Sequence, residues 1–155
     1  MEKFILQFFV YLFHFTFMNN KKEHIQHDGI FYEIDLDNQI GMITGAARSS
    51  TDIIIPKSIQ YQNTEILITK ICPGAFKNNS NIKSCKLTDS DIDLIPEDAF
   101  YKSSTEVIDL SISIYIIGKN AFSECINLTT LNIPTGSILK KIKEKAFYKT
   151  ALKNV

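Results

Sequence analysis

The chain has 155 residues, 45% of them hydrophobic, which suits one folded domain and is too apolar for a disordered chain. Seventeen lysines and arginines balance seventeen aspartates and glutamates, so no surplus of positive charge exists to hold a phosphate backbone, and nucleic acid is not expected as a partner. Three cysteines (Cys72, Cys85 and Cys125) without a CxxC pair read as small buried apolar side chains, not as a zinc site.

Phe4 to Met18 reads FILQFFVYLFHFTFM. As a helix at ~1.5 Å per residue it would reach only ~22 Å, short of a ~30 Å bilayer core. The length suits a signal-peptide core of ~7–15 residues. Met1-Glu2-Lys3 carries little positive charge, however, and no small-residue cleavage site precedes Asn19. Residues 1–20 are therefore read as an apolar leader. It is a signal peptide or anchor, the translated product of an upstream start or misread exon, or a cytosolic apolar helix. Membrane association is expected only through residues 4–18.

Residues 21–27 read as a polar linker. His24 and His27 fall beside Glu23 and Asp28, a pattern taken as solvated and not as a metal cluster; His14 is the third histidine of the chain. Residues 28–70 read as a β region at the front of the repeats.

From residue 71 to 155 the chain repeats itself over about three and a half units. Ala-Phe recurs at 75–76, 99–100, 121–122 and 146–147, at steps of 24, 22 and 25 residues. Four residues before each alanine stands an isoleucine: Ile71, Ile95, Ile117 and Ile142. Inward-facing strand positions follow at Ile82, Cys85 and Leu87 in the first unit and at Leu128, Leu131 and Ile133 in the third. With one extra residue the second unit supplies Val107, Leu110 and Ile112, and the fourth ends after Leu152 and Val155. The alternation predicts a short strand in each unit. The Ala-Phe segment is expected to make one helical or 3₁₀ turn and to send Phe76, Phe100, Phe122 and Phe147 between the coils. Burying one such ring contributes ~1.5–3 kcal/mol by area. A single unit cannot bury this face alone, so neighbours must stack. The fold class is thus an α/β repeat: a leucine-rich solenoid of short strands with turns or short helices, behind an N-terminal β cap.

These residues resemble the BspA-like leucine-rich-repeat family, whose repeat runs approximately I-x-x-x-A-F-x-x-C-x-x-L-x-x-[VL]-x-I-P. The third unit matches at Ile117, Ala121, Phe122, Cys125, Leu128, Leu131, Ile133 and Pro134. The likeness covers about Asp28 to Val155: Asp28-Gly29-Ile30-Phe31-Tyr32-Glu33-Ile34 resembles the family's opening strand, and Ile53-Ile54-Ile55-Pro56 its first strand-then-proline step. It departs at the cysteine position, where Asn79, Ser103 and Thr150 stand in the other units. The resemblance implies a right-handed solenoid with a sheet along one side. It also implies a non-catalytic binding or adhesion role at a cell surface or in secretion, toward protein or glycoprotein partners such as host or matrix proteins. The alternative is an intracellular, cytoplasmic interaction scaffold with the same fold.

No HExxH, GxSxG, P-loop or GxGxxG pattern occurs, and neither a cofactor, a metal nor an enzymatic activity is expected. The acidic stretch Asp89, Asp91, Asp93, Glu97 and Asp98 lacks EF-hand spacing and reads as an outward loop. The lysines at 140, 141, 143, 145 and 149 read as a solvated face, with a patch for sulfated glycans as the sharper alternative. Two glycosylation sequons stand at Asn78-Asn79-Ser80 and Asn127-Leu128-Thr129. A ligand is expected on the concave strand face, whose outward columns are assigned as Ser84, Asp109 and Thr130, and as Lys86, Ser111 and Asn132.

Overall fold

The computed structural model describes residues 22–153, so the apolar leader and Val155 lie outside the described residues. Twelve strands follow one another: β1 (Lys22–His27), β2 (Ile30–Asp35), β3 (Ile40–Ala46), β4 (Asp52–Ile54), β5 (Ser58–Tyr61), β6 (Thr64–Ile71), β7 (Ser84–Lys86), β8 (Leu94–Ile95), β9 (Val107–Asp109), β10 (Ile116–Ile117), β11 (Thr130–Asn132) and β12 (Lys141–Ile142).

The N-terminal sheet has the order β1-β2-β3-β6-β5, antiparallel except where β3 runs parallel to β6. Its strands alternate as a half-buried sheet must: Ile30, Tyr32 and Ile34 are buried on β2, while Phe31 and Glu33 face away from that core. Asp28-Gly29, both with positive φ, make the two-residue turn between β1 and β2. Gln62-Asn63 does the same between β5 and β6. The stretch read as a polar linker is therefore an edge strand. Its charged and amide side chains suit an edge, where an apolar strand would invite pairing with another chain.

The second part is a stack of coils with two parallel sheets, β4-β7-β9-β11 and β8-β10-β12. Strand β4 leaves the N-terminal region to start the first of these, pairing Ile53 with Cys85. At the other side Ile43 of β3 pairs with Ile71, the isoleucine of the first Ala-Phe unit. Cap and coils are thus interleaved around one continuous apolar core that runs from Ile30 to Ala146, and the boundary expected at residue 71 falls inside this shared packing.

No helix occurs among the described residues, so the expected short helices are corrected to linked turns. In the first unit the N–H groups of Ala75, Lys77 and Asn79 bond back to the carbonyls of Cys72, Gly74 and Phe76. The intervening N–H groups of Gly74, Phe76 and Asn78 instead cross to Glu97, Ala99 and Tyr101 in the next coil. Left-handed residues bracket each Ala-Phe pair: Gly74 and Asn78, Asp98 and Lys102, Asn120 and Glu124, Lys145 and Lys149. A helix requires negative φ throughout. Here alternate donors are committed to the neighbouring coil, which satisfies the backbone without one.

The phenylalanine stack forms as the repeat requires. Ring centroids lie 4.8 Å apart for Phe76–Phe100, 5.1 Å for Phe100–Phe122 and 5.3 Å for Phe122–Phe147. Ala99, Ala121 and Ala146 are buried where the coils approach.

Candidate functional site

The four-stranded parallel sheet presents a regular solvent face. Its columns follow from strand register. Asp52, Ser84, Val107 and Thr130 align in one row, and Ile54, Lys86, Asp109 and Asn132 in another. Between them the row Ile53, Cys85, Ile108 and Leu131 points into the core.

This register corrects the second unit. Equivalent positions recur at Cys85, Ile108 and Leu131, so the inward residues are Thr105, Ile108 and Leu110, not Val107, Leu110 and Ile112. The segment between Ala-Phe and the strand is one residue shorter in this unit, not longer. Thr105 takes an aliphatic position, fully buried, with its hydroxyl 2.9 Å from that of Ser103. Ser111, assigned to a ligand-facing column, is buried at 1% exposure and accepts a bond from the Ser113 N–H. Asp109 moves from the row of Ser84 to that of Lys86. Ser84, Lys86, Thr130 and Asn132 keep outward places, and Asp52, Ile54 and Val107 join them. Only the Ile-Ile-Ile-Pro run pointed to β4, because 32 residues rather than 23 separate Ile53 from Cys85.

Much of the polarity of the face is already partnered. Ser84 donates to Asp52 at 2.5 Å, and Thr51 donates to the other oxygen of the same carboxylate at 2.9 Å. These bonds hold the Asp52 carboxyl below its ordinary pKa. Asn132 donates to Asp109 at 2.6 Å, and Lys83 pairs with Glu106 at 2.7 Å. Ile54 stands 60% exposed at the end of its row. Ile133, at the inward position that Leu87 and Leu110 fill in the other coils, is 45% exposed, and past the strand ends Ile112 is 53% and Ile138 55% exposed. The N–H of Ile138 reaches the Ile112 carbonyl at 3.4 Å, so these side chains share one corner of the surface. The face therefore offers apolar contact at the Ile54 end and a rigid polar array along the rest. It holds no arrangement of nucleophile and base.

The positions marked by the repeat divide. Ile71, Phe76, Ile95, Phe100, Ile117 and Phe122 are buried, whereas Ile142 is 50% exposed and Phe147 only partly covered. The acidic stretch is spread over separate pairs: Asp91 with Lys57, and Asp98 with Lys77, each at 2.8 Å. The C-terminal lysines also point to different neighbours, with Lys140 over the Tyr115 ring and Lys149 over that of Tyr148. His27 reaches Asp28 at 3.4 Å.

The thiols are quiet. Burial pushes the pKa of Cys85 and Cys125 up, and that of half-buried Cys72 as well, which keeps all three protonated at neutral pH. Cys125 does more than fill space. Its thiol donates to the Phe100 carbonyl of the preceding coil at 2.8 Å. The other occupants of this position also serve the local turn: Asn79 accepts the N–H groups of Asn81 and Ile82, and Thr150 donates to the Phe147 carbonyl.

Comparison with known proteins returns the same architecture. The sequence profile of the BspA type leucine rich repeat region matches residues 49–155, in six copies. No curated protein matches the chain. Among solved structures, the pneumococcal vaccine antigen PcpA superposes with a TM-score of 0.57 at 21% identity, covering 83% of this chain and 42% of that one. A leucine rich cell surface protein of Faecalibacterium prausnitzii gives 0.56 at 19% identity, covering 86% and 48%. A leucine rich repeat protein of T. pallidum gives 0.55 at 17%, covering 84% and 69%. The chain spans less than half the length of the first two, and at these identities the likeness is one of fold.

Proposed function

Since the chain belongs to the BspA-type leucine-rich-repeat family, we propose that it is a non-catalytic binding module that recognises protein or glycoprotein partners on the solvent face of its parallel sheet. The observation that carries this reading is the in-register pair of outward columns, Asp52-Ser84-Val107-Thr130 and Ile54-Lys86-Asp109-Asn132, on a backbone locked by parallel pairing. Such a surface meets a partner at a spacing set by the strands. It lacks the arginine and tryptophan anchors that usually concentrate binding energy. Affinity per copy is accordingly weak and grows with the number of repeats or copies engaged.

The natural setting for this role is a cell surface or the secreted state, with attachment to host or matrix proteins as the task. The description of the Faecalibacterium prausnitzii neighbour as a cell surface protein supports that setting. One feature favours the second reading, an intracellular interaction scaffold. All three cysteines are free thiols, which suits a reducing compartment.

Two measurements separate these possibilities. Protease treatment of intact cells, with a cytosolic marker as control, removes a surface protein while the marker survives; protection of both supports the scaffold. For the site itself, the chain is presented as a multivalent array to a panel of purified extracellular-matrix proteins. Changing Lys86, Asp109 and Asn132 together to alanine should lower binding about tenfold with no shift in Tm, because these side chains stand at the surface. Unchanged binding by that variant would remove the sheet face from consideration.

A further inference from the structure

A cleft of about 660 Å³ lies off the sheet, where the N-terminal sheet meets the first coil. Its volume falls within the ~300–1,000 Å³ range of small-molecule sites. Small residues make its floor. Phe31 pairs across the strands with Gly45, and a Cβ on that glycine would sit 3.5 Å from the Phe31 ring and 3.3 Å from the Ala75 carbonyl. The missing side chain leaves room beside the ring. Phe31 itself is 38% exposed, an aromatic placed on the outer side of its sheet and not in the core.

The walls are cationic and rich in amides. Arg48 is the single arginine of the chain, and it lies exposed on the rim. Among the described residues it has no carboxylate partner, whereas Lys77 beside it is committed to Asp98 at 2.8 Å. Asn78, Ser80 and Asn81 complete the wall. Asn81 is held in place by its backbone bond to the Asn79 side chain, and none of these three has a side-chain partner among the described residues. No aspartate or glutamate lines the cleft.

This set combines three recognition chemistries. A guanidinium takes a carboxylate through two parallel hydrogen bonds. Amides both donate and accept, as paired hydroxyls require. An aromatic face covers an apolar surface of similar size. We propose that this cleft binds a carboxylated sugar unit, with its carboxylate on Arg48, the C–H face of its ring on Phe31 and its hydroxyls on Asn78 and Asn81. The inference goes beyond the sheet-face reading and shares no residue with it, so either can fail without the other.

Asn78 begins a glycosylation sequon, and a glycan there would fill the cleft; the test therefore uses the full chain produced in a non-glycosylating host. The chain is titrated by calorimetry with a hyaluronan tetrasaccharide and with sialyllactose, which carry the carboxylate on different sugars. Neutral chitotetraose is the control. Saturable binding of either acidic sugar, at least about tenfold tighter than the neutral one, supports the proposal. Arg48→Gln should then weaken binding about tenfold, with Arg48→Lys intermediate because it keeps the charge but loses the fork. Phe31→Ala should weaken it as well. Arg48 is exposed, so its variants should keep the parent Tm; Phe31 is 38% exposed, so Phe31→Ala should lower Tm modestly and is read by its affinity below the transition. The triple sheet variant should bind as the parent does. Three results would overturn the proposal: no saturable binding up to about 10 mM, equal binding of chitotetraose, or indifference to Arg48→Gln. Displacement by sodium acetate as effective as by the sugars would also overturn it, since a bare anion site would then suffice.

Discussion

Ile117 and Ile142 hold the same place in consecutive coils, yet one is fully buried and the other 50% exposed. Phe122 and Phe147 differ in the same direction, although their rings stack 5.3 Å apart and nearly parallel. Sequence at these positions is identical, so the difference belongs to the neighbour. Ile117 has β8 on one side and β12 on the other, while Ile142 has only β10 among the described residues. At the front of the stack Ile71 finds its neighbour in Ile43 of the N-terminal sheet, and it is buried to 3% exposure. The N-terminal sheet, through its one parallel pair, thus does for the first coil what a further coil would do. Stability in such an array is a sum of units and interfaces, and the two ends of this one show what a single interface contributes.

That comparison can be broken by removing a ring from each position. Phe122→Ala, which empties a fully enclosed site between two coils, should cost ~3–5 kcal/mol in chemical denaturation. Phe147→Ala removes a ring stacked on one side only among the described residues and should cost ~1–2 kcal/mol, since less area leaves contact. Equal losses would mean that the last coil is as well supported as the third.

A smaller effect probes how closely the coils approach. A Cβ at Gly118 would come within 2.7 Å of the Ile95 carbonyl oxygen and the Pro96 carbonyl carbon, which are backbone and cannot rotate away. Gly118→Ala should therefore destabilise by ~1–3 kcal/mol. A neutral result would show that adjacent coils can slide apart at no cost.

The smallest effect concerns the ion pair that ties the first two coils. Asp98 is held below its ordinary pKa, first by the hydrogen bond from Lys77, against the opposing effect of burial, and then by the Asn120 side chain and the charge of that ammonium. A carboxyl with a lowered folded pKa adds stability above its unfolded pKa and loses it as pH falls through the folded one. The Tm gap between the parent and Asp98→Asn should hold above the ordinary carboxylate range and close as pH falls below it. Asparagine tolerates the left-handed φ of 57° at this position, so backbone strain does not confuse the reading. A gap independent of pH would exclude the ion pair as its source.

The repeat was legible because its strongest marks are apolar and strictly placed: Ala-Phe, the isoleucine before it, and the aliphatic rows of the first and third units. Register failed in the second unit for a physical reason. Thr105 is polar in composition yet buried, because Ser103 satisfies its hydroxyl. Alternation alone therefore favours Val107, which is only partly buried. The edge strand Lys22–His27 was hidden because its only apolar residue is Ile25. The missing helices were hidden because Lys102, Glu124, Lys145 and Lys149 adopt left-handed φ without being glycine or asparagine. Of the candidate face, Ser84, Lys86, Thr130 and Asn132 were legible from alternation. Asp52 and Ile54 were not, since a hairpin of the cap intervenes between β4 and β7.

The most direct test of neighbour-dependent stability is native-state hydrogen exchange, read at the four phenylalanine amides. The N–H groups of Phe76, Phe100 and Phe122 donate to Ala99, Ala121 and Ala146 at 2.7 to 2.8 Å, while that of Phe147 has no acceptor among the described residues. Strong protection is expected at the first three, and exchange at Phe147 faster by several orders of magnitude. Protection of Phe147 equal to that of Phe122 would contradict neighbour-dependent stability.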